Sequence, residues 1–88
     1  MTVADTIRAK LTAAFAPERL EVIDQSHKHK GHAGWREGGE THFHVTLVSS
    51  SFAGQSRVAR QRAVYAALAE ELAGPVHALE VSARAPGE

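Results

Sequence analysis

Between Thr41 and Val48 the chain reads THFHVTLV, apolar at every second position. Phe43, Val45 and Leu47 fall on one side of an extended backbone and His42, His44 and Thr46 on the other. This predicts a strand over 41–48 with its phenylalanine–valine–leucine side in a core. Upstream, Val3, Ile7, Leu11, Ala14 and Phe15 recur at three- and four-residue spacing, the stripe of an amphipathic helix. Thr2 with Asp5 makes a capping box at its start, and Pro17 stops it. Arg19 to Gln25 (RLEVIDQ) alternates through Leu20 and Val22 and predicts a strand over 19–25.

From Ser56, an N-cap, a second apolar stripe runs through Val58, Val64, Tyr65, Leu68 and Leu72 to about Ala73. Gly74 and Pro75 then end the helix in the usual order. Val76 to Ala83 (VHALEVSA) closes the pattern as a strand over 76–83, with Leu79 and Val81 facing the core. Period two puts His77 on that same, partly buried face. Phe52, between the second strand and the long helix, is expected to tuck into the core, with one short helical turn there. Arg84 to Glu88 is expected to fray.

The order is α-β-β-α-β. Two strands joined by a loop are most simply antiparallel, and a helical crossover makes the third parallel to the second. The expected architecture is α+β, a three-stranded mixed sheet with both main helices on one face, in a single domain spanning 1–88.

Charge on the long helix runs against its dipole. Arg57, Arg60 and Arg62 crowd the N-terminal half and Glu70 and Glu71 the other end, each costing about 0.3–1 kcal/mol. The arrangement reads either as a solvated face or as an anion- or partner-binding surface.

Composition narrows the function. The 88 residues carry ten Lys and Arg against ten Asp and Glu, a formal net charge of zero. That argues against nonspecific nucleic-acid binding, which needs a basic surface. Without cysteine, the chain has no disulfide and supplies no thiolate to a metal. No run of about 18 apolar residues marks a membrane span and no signal-peptide layout is present, so a cytoplasmic protein is expected.

All but one of the six histidines lie between Ser26 and His44. His27, His29 and His32 sit in the glycine-rich stretch from Ser26 to Glu40. That length and glycine content predict the most mobile internal segment, with Trp35 as an aromatic that could pin it. His42 and His44 project together from the second strand. Imidazole ligates zinc, iron, copper and nickel, but no spacing here matches a closed zinc site or H-E-x-x-H. His77 by itself reads either as a core histidine or as a ligand. A serine elbow and a cysteine nucleophile are both missing, which disfavours an enzyme.

Taken together, SHKHKGH, THFHVTLVSSSFAG, Arg60-Gln61-Arg62, YAALAEEL and Val76-His77-Ala78-Leu79 come in an order and spacing that resembles the BolA family from Ile7 to Pro86. The resemblance implies an α-β-β-α-α-β fold similar to class II KH domains. It also implies a monothiol glutaredoxin as partner. The pair would share a [2Fe-2S] cluster, with thiolates from the glutaredoxin and from glutathione. His77, in the V-H-A-L block, is then the first ligand. The second comes from the loop, in the order His29, His32, His42. Arg60 and Arg62 are expected on the glutaredoxin-facing or glutathione-facing surface. Glutamine replaces the family's frequent middle histidine at position 61. Histidine ligation raises a cluster's potential over all-thiolate sites, and half a site makes binding conditional on the partner. The function so implied is a non-enzymatic role in iron–sulfur trafficking or iron regulation. The alternative is a KH-like, nucleic-acid-binding transcriptional regulator. The neutral charge counts against it, as does Gly54-Gln55-Ser56-Arg57, which keeps only the first glycine of a G-x-x-G loop.

Overall fold

The computed structural model describes residues 2–26 and 40–88. The elements run α1 (Val3–Phe15), β1 (Arg19–Asp24), β2 (His42–Val48), a 3-10 turn (Ser50–Phe52), α2 (Arg57–Ala67), α3 (Ala69–Ala73) and β3 (Ala78–Arg84). The sheet order is β1-β2-β3, with β2 antiparallel to β1 and parallel to β3. The alternation in THFHVTLV therefore marks the central strand. Phe43, Val45 and Leu47 are at most 1% exposed. They join Ile7 and Leu11 of α1, Val64 of α2, Leu68 and Phe52 in one core cluster, so α1 and α2 cover the same face of the sheet. Truncating Phe43 to alanine would cost about 3–5 kcal/mol at such a site.

The expected capping box is present. Thr2 Oγ1 accepts from Asp5 N at 3.0 Å and Asp5 Oδ2 from Thr2 N at 3.3 Å. Those bonds, the backbone one first, hold the Asp5 carboxyl below its ordinary value. Ala16, in the left-handed region at φ 43°, closes α1 one residue before Pro17.

Three expectations are corrected. The single helix that the apolar stripe predicts from Ser56 to about Ala73 breaks at Leu68, with φ −108° and ψ 22°, into the two helices that the family resemblance implies. The apolar stripe continues through the break, so the pattern could not show it. The break also reverses the electrostatics of Glu70 and Glu71. They occupy the first turn of α3, where the helix dipole favours carboxylates. Lys10 Nζ donates to Glu71 Oε2 at 2.8 Å and to Glu70 Oε1 at 3.3 Å, tying α3 to α1. The bond to Glu71 is the main reason the Lys10 ammonium is held above its usual value.

Val58 and Tyr65, placed in the apolar stripe, are 54% and 41% exposed. At 3.6 residues per turn Tyr65 lies about 100° round from Val64, which puts it on the flank beside β3. There its hydroxyl donates to Leu79 O at 3.1 Å. The segment after β3 is ordered rather than frayed, with Ala85 5% exposed.

Candidate functional site

The two ends of the 26–40 segment are held together by side chains. Asp24 Oδ1 accepts from Ser26 N at 2.9 Å, and its Oδ2 accepts from Glu40 N at 3.0 Å. Ser26 Oγ accepts from Thr41 N at 2.8 Å and from His42 N at 3.2 Å. Glu40, at φ 62°, turns its carboxylate onto the first turn of α1, where Oε2 accepts from Ala4 N at 3.1 Å. The turn at the start of β2 is thus fixed from β1 and from α1.

Thr41 is the centre of this arrangement and is fully buried. Its Oγ1 lies 2.8 Å from His42 Nδ1. Its carbonyl accepts from His77 N at 2.7 Å and from Ala78 N at 3.2 Å. One residue therefore positions both histidines, whose ring centroids stand 6.4 Å apart at an interplanar angle of 27°. The parallel pairing of His42 with Ala78 gives the same result, since parallel neighbours start at the same end of the sheet.

The expected environment of His77 is corrected. Period two puts His77 on the core face at the start of β3; the structure leaves it exposed and one residue ahead of the strand. A regular ladder turns successive amides to opposite sides. Here two successive amides share the Thr41 carbonyl, so the alternation read backward from Leu79 fails at residue 77. Val76, 3% exposed, takes the core position instead. His42, by contrast, is on the open side of the sheet by register yet only 7% exposed. His44 lies 3.5 Å from Glu80 across the β2–β3 pair. His27, His29 and His32, and the expected mobility of the loop, fall outside the described residues. Among the described residues no group of three histidine, aspartate or glutamate side chains is placed to hold a metal.

Arg60 and Arg62 lie on α2. Arg62 is exposed. Arg60, with a side chain 12% exposed, is engaged within the chain. Its Nε donates to Gln55 O at 3.1 Å and its Nη1 to Ala83 O at 3.3 Å. Both terminal nitrogens donate to the Glu88 carboxylate, at 2.5 and 2.7 Å. This fork holds the Glu88 carboxyl down at about 2 and is the first cause of the rise in the Arg60 guanidinium's pKa. At about 3.3 Å per residue, Ala83 is roughly 16 Å along β3 from Ala78. Arg60 is therefore at the other end of the sheet from His77. Nothing in the sequence pairs Glu88 with Arg60; only the fold shows it.

A small mixed sheet under one layer of helices, with a histidine pair at the mouth of its parallel strands, defines the class of domain. Comparison with known proteins gives the family. The BolA model, described as BolA-like protein, matches residues 11–88. Human BolA-like protein 1 is 54% identical over 82 residues, covering 93% of this chain and 57% of that protein. The DNA-binding transcriptional regulator BolA of Escherichia coli K12 is 47% identical over 79 residues, covering 90% of this chain and 71% of that protein. The solved structure of Arabidopsis thaliana BolA1 superposes with a TM-score of 0.89 at 36% identity, covering 100% of this chain and 96% of that one. The BolA domain of SufE1 from the same plant gives 0.85 at 42% identity, covering 94% and 91%. The chain belongs to the BolA family. It spans little more than half the length of the human relative it matches.

Proposed function

We propose that this chain is a non-enzymatic, cytoplasmic partner of a monothiol glutaredoxin, supplying imidazole to a shared [2Fe-2S] cluster in iron–sulfur trafficking or iron regulation. The observation that carries this reading is the His42–His77 pair, set by Thr41 at one end of the sheet. The donor set suits half a site. His77 is exposed and held through its own backbone amide, and the chain has no thiolate of its own. The remaining ligands must come from outside, from the glutaredoxin and its glutathione.

His77 is the first ligand, with His29, then His32, then His42 as the second. Because His42 Nδ1 faces Thr41 Oγ1, ligation by His42 would use Nε2. The protein's contribution is orientation: a ring fixed by a second contact is a better ligand than a freely rotating one. Histidine on one iron raises the potential of a cluster above the all-thiolate range. Arg60 and Arg62, both on α2, stay proposed for the partner-facing surface, Arg62 exposed and Arg60 engaged by Glu88 in the free chain.

The test is anaerobic co-purification with a monothiol glutaredoxin and glutathione, read by visible absorption and circular dichroism. A cluster spectrum distinct from that of glutaredoxin alone is expected. An unchanged spectrum, with no complex on gel filtration, defeats the reading.

The name of the Escherichia coli relative favours a second reading, a DNA-binding regulator. Its signature is a binding constant that falls steeply with salt. The net charge of zero weighs against it, and a flat or absent salt response would remove it.

A further inference from the structure

At the end of the sheet remote from His77, α2 and the outer edge of β3 enclose a groove of about 460 Å³. Its walls include Arg57, Arg60 and Gln61 on one side and Val81 and Arg84 on the other. Three guanidinium groups gather here on a chain whose net charge is zero.

The edge itself is half closed. Ala78 N and Arg84 O bond toward β2 and its continuation. The even-numbered residues of β3 thus turn their backbone inward, and Leu79, Val81 and Ala83 turn theirs outward. Tyr65 takes the Leu79 carbonyl and Arg60 the Ala83 carbonyl. Val81 lies between these two guarded positions, and among the described residues no strand pairs with the outer side of β3. An open edge of this kind is a template for another strand.

Arg60 shows what chemistry the groove accepts. Its fork grips the Glu88 carboxylate through both terminal nitrogens, and Ala85 N donates to the same Oε1 at 3.2 Å. These donors form a carboxylate receptor filled from within the chain. Arg57 and Arg84, in the same walls, are exposed. The Glu88 side chain is itself 45% exposed, so the internal carboxylate is open to exchange.

We propose that this groove binds an extended acidic segment of a partner protein, which adds along the Val81 edge of β3 and displaces Glu88 from Arg60. Glu88 is then a competitor in cis, and it sets the threshold for docking. The site is independent of the histidine end and does not depend on a cluster being bound.

The probe is a short fluorescein-labelled peptide alternating valine with glutamate, followed by fluorescence anisotropy on the full chain. Replacing Glu88→Ala removes the competitor and should tighten binding about five-fold, the equivalent of one exposed ion pair. Arg60→Lys keeps the charge but loses the fork, and should weaken binding on a chain whose melting curve confirms folding. A version of the peptide with glutamine for glutamate should not bind. N-methylation of its backbone should abolish binding if the edge is used. Equal affinity of the wild type and Glu88→Ala, equal binding of the glutamine peptide, or no binding to Glu88→Ala would each overturn the proposal. So would displacement of the peptide by single-stranded DNA at lower concentration than by unlabelled peptide, which would assign the groove to phosphate.

Discussion

The two ends of β3 are built to opposite plans. At the start of the strand, the main chain does the positioning. The Thr41 carbonyl takes two amides, and the imidazole of His77 is left in solvent. At the far end, the side chain does the binding. Arg60 is drawn over the strand edge and has its donors distributed among Gln55, Ala83 and Glu88. One end presents a group and the other holds one. A residue's type alone therefore does not mark it as available: the expected partner-facing Arg60 is occupied, while the expected core-facing His77 is exposed.

The largest effect that separates the ends is all-or-none. His77→Ala should abolish or strongly alter the cluster spectrum of the glutaredoxin complex while the apo-complex still forms. Arg60→Ala should leave that spectrum unchanged, as should His27→Ala. A spectrum lost equally in the Arg60 and His77 variants would merge the two ends into one site.

Thr41→Val tests the positioning at the histidine end. The hydroxyl is buried against His42 Nδ1, so its loss should lower stability by about 1–3 kcal/mol in urea unfolding. Where His42 is the second ligand it should also shift the cluster spectrum, because His42 loses the contact that sets its ring. A stability loss with an unchanged spectrum would make Thr41 structural only.

The smallest effect belongs to the arginine end. The Glu88 carboxyl is lowered from 4.5 to about 2, chiefly by Arg60. A group lowered on folding contributes stability that is present above its unfolded pKa and lost as pH falls through the folded one. Stability should therefore decline between about pH 4.5 and 2, and Glu88→Gln should flatten that part of the profile. The Asp5 carboxyl, also lowered, acts in the same direction at the start of α1. The Glu88 variant should thus reduce the slope without abolishing it. An identical slope in the variant would mean that the fork seen here does not persist in solution.

Much of this fold was legible in the residues. The alternation of Phe43, Val45 and Leu47 identified the central strand because both of its neighbours impose the same parity. The Thr2–Asp5 box and Phe52 in the core were legible for similarly local reasons. The break at Leu68 was not legible in the periodicity, because a residue that ends one helix and starts another stays on the same apolar stripe; only the family resemblance implied the second helix. His77 was misplaced because the parity of a strand holds only inside it, and two amides sharing one acceptor lie outside. The proximity of His77 to His42 survived that error, since it follows from the parallel pairing rather than from the side a residue faces. The Arg60–Glu88 fork joins an element to the segment after the last strand, and no local pattern carries a contact of that range.

The double acceptance at Thr41 has a consequence for the order in which the chain becomes competent. His42 and His77 flank the whole helical crossover, and closing a loop of that length costs entropy before any contact rewards it. The carbonyl that receives both amides is the clasp of that closure. While the crossover is open, the two rings are independent groups on a flexible tether. A ligand that demands both of them responds to the closed chain alone. Such a ligand would serve as a proofreader of folding, taken up only by molecules in which the last strand has already found its place.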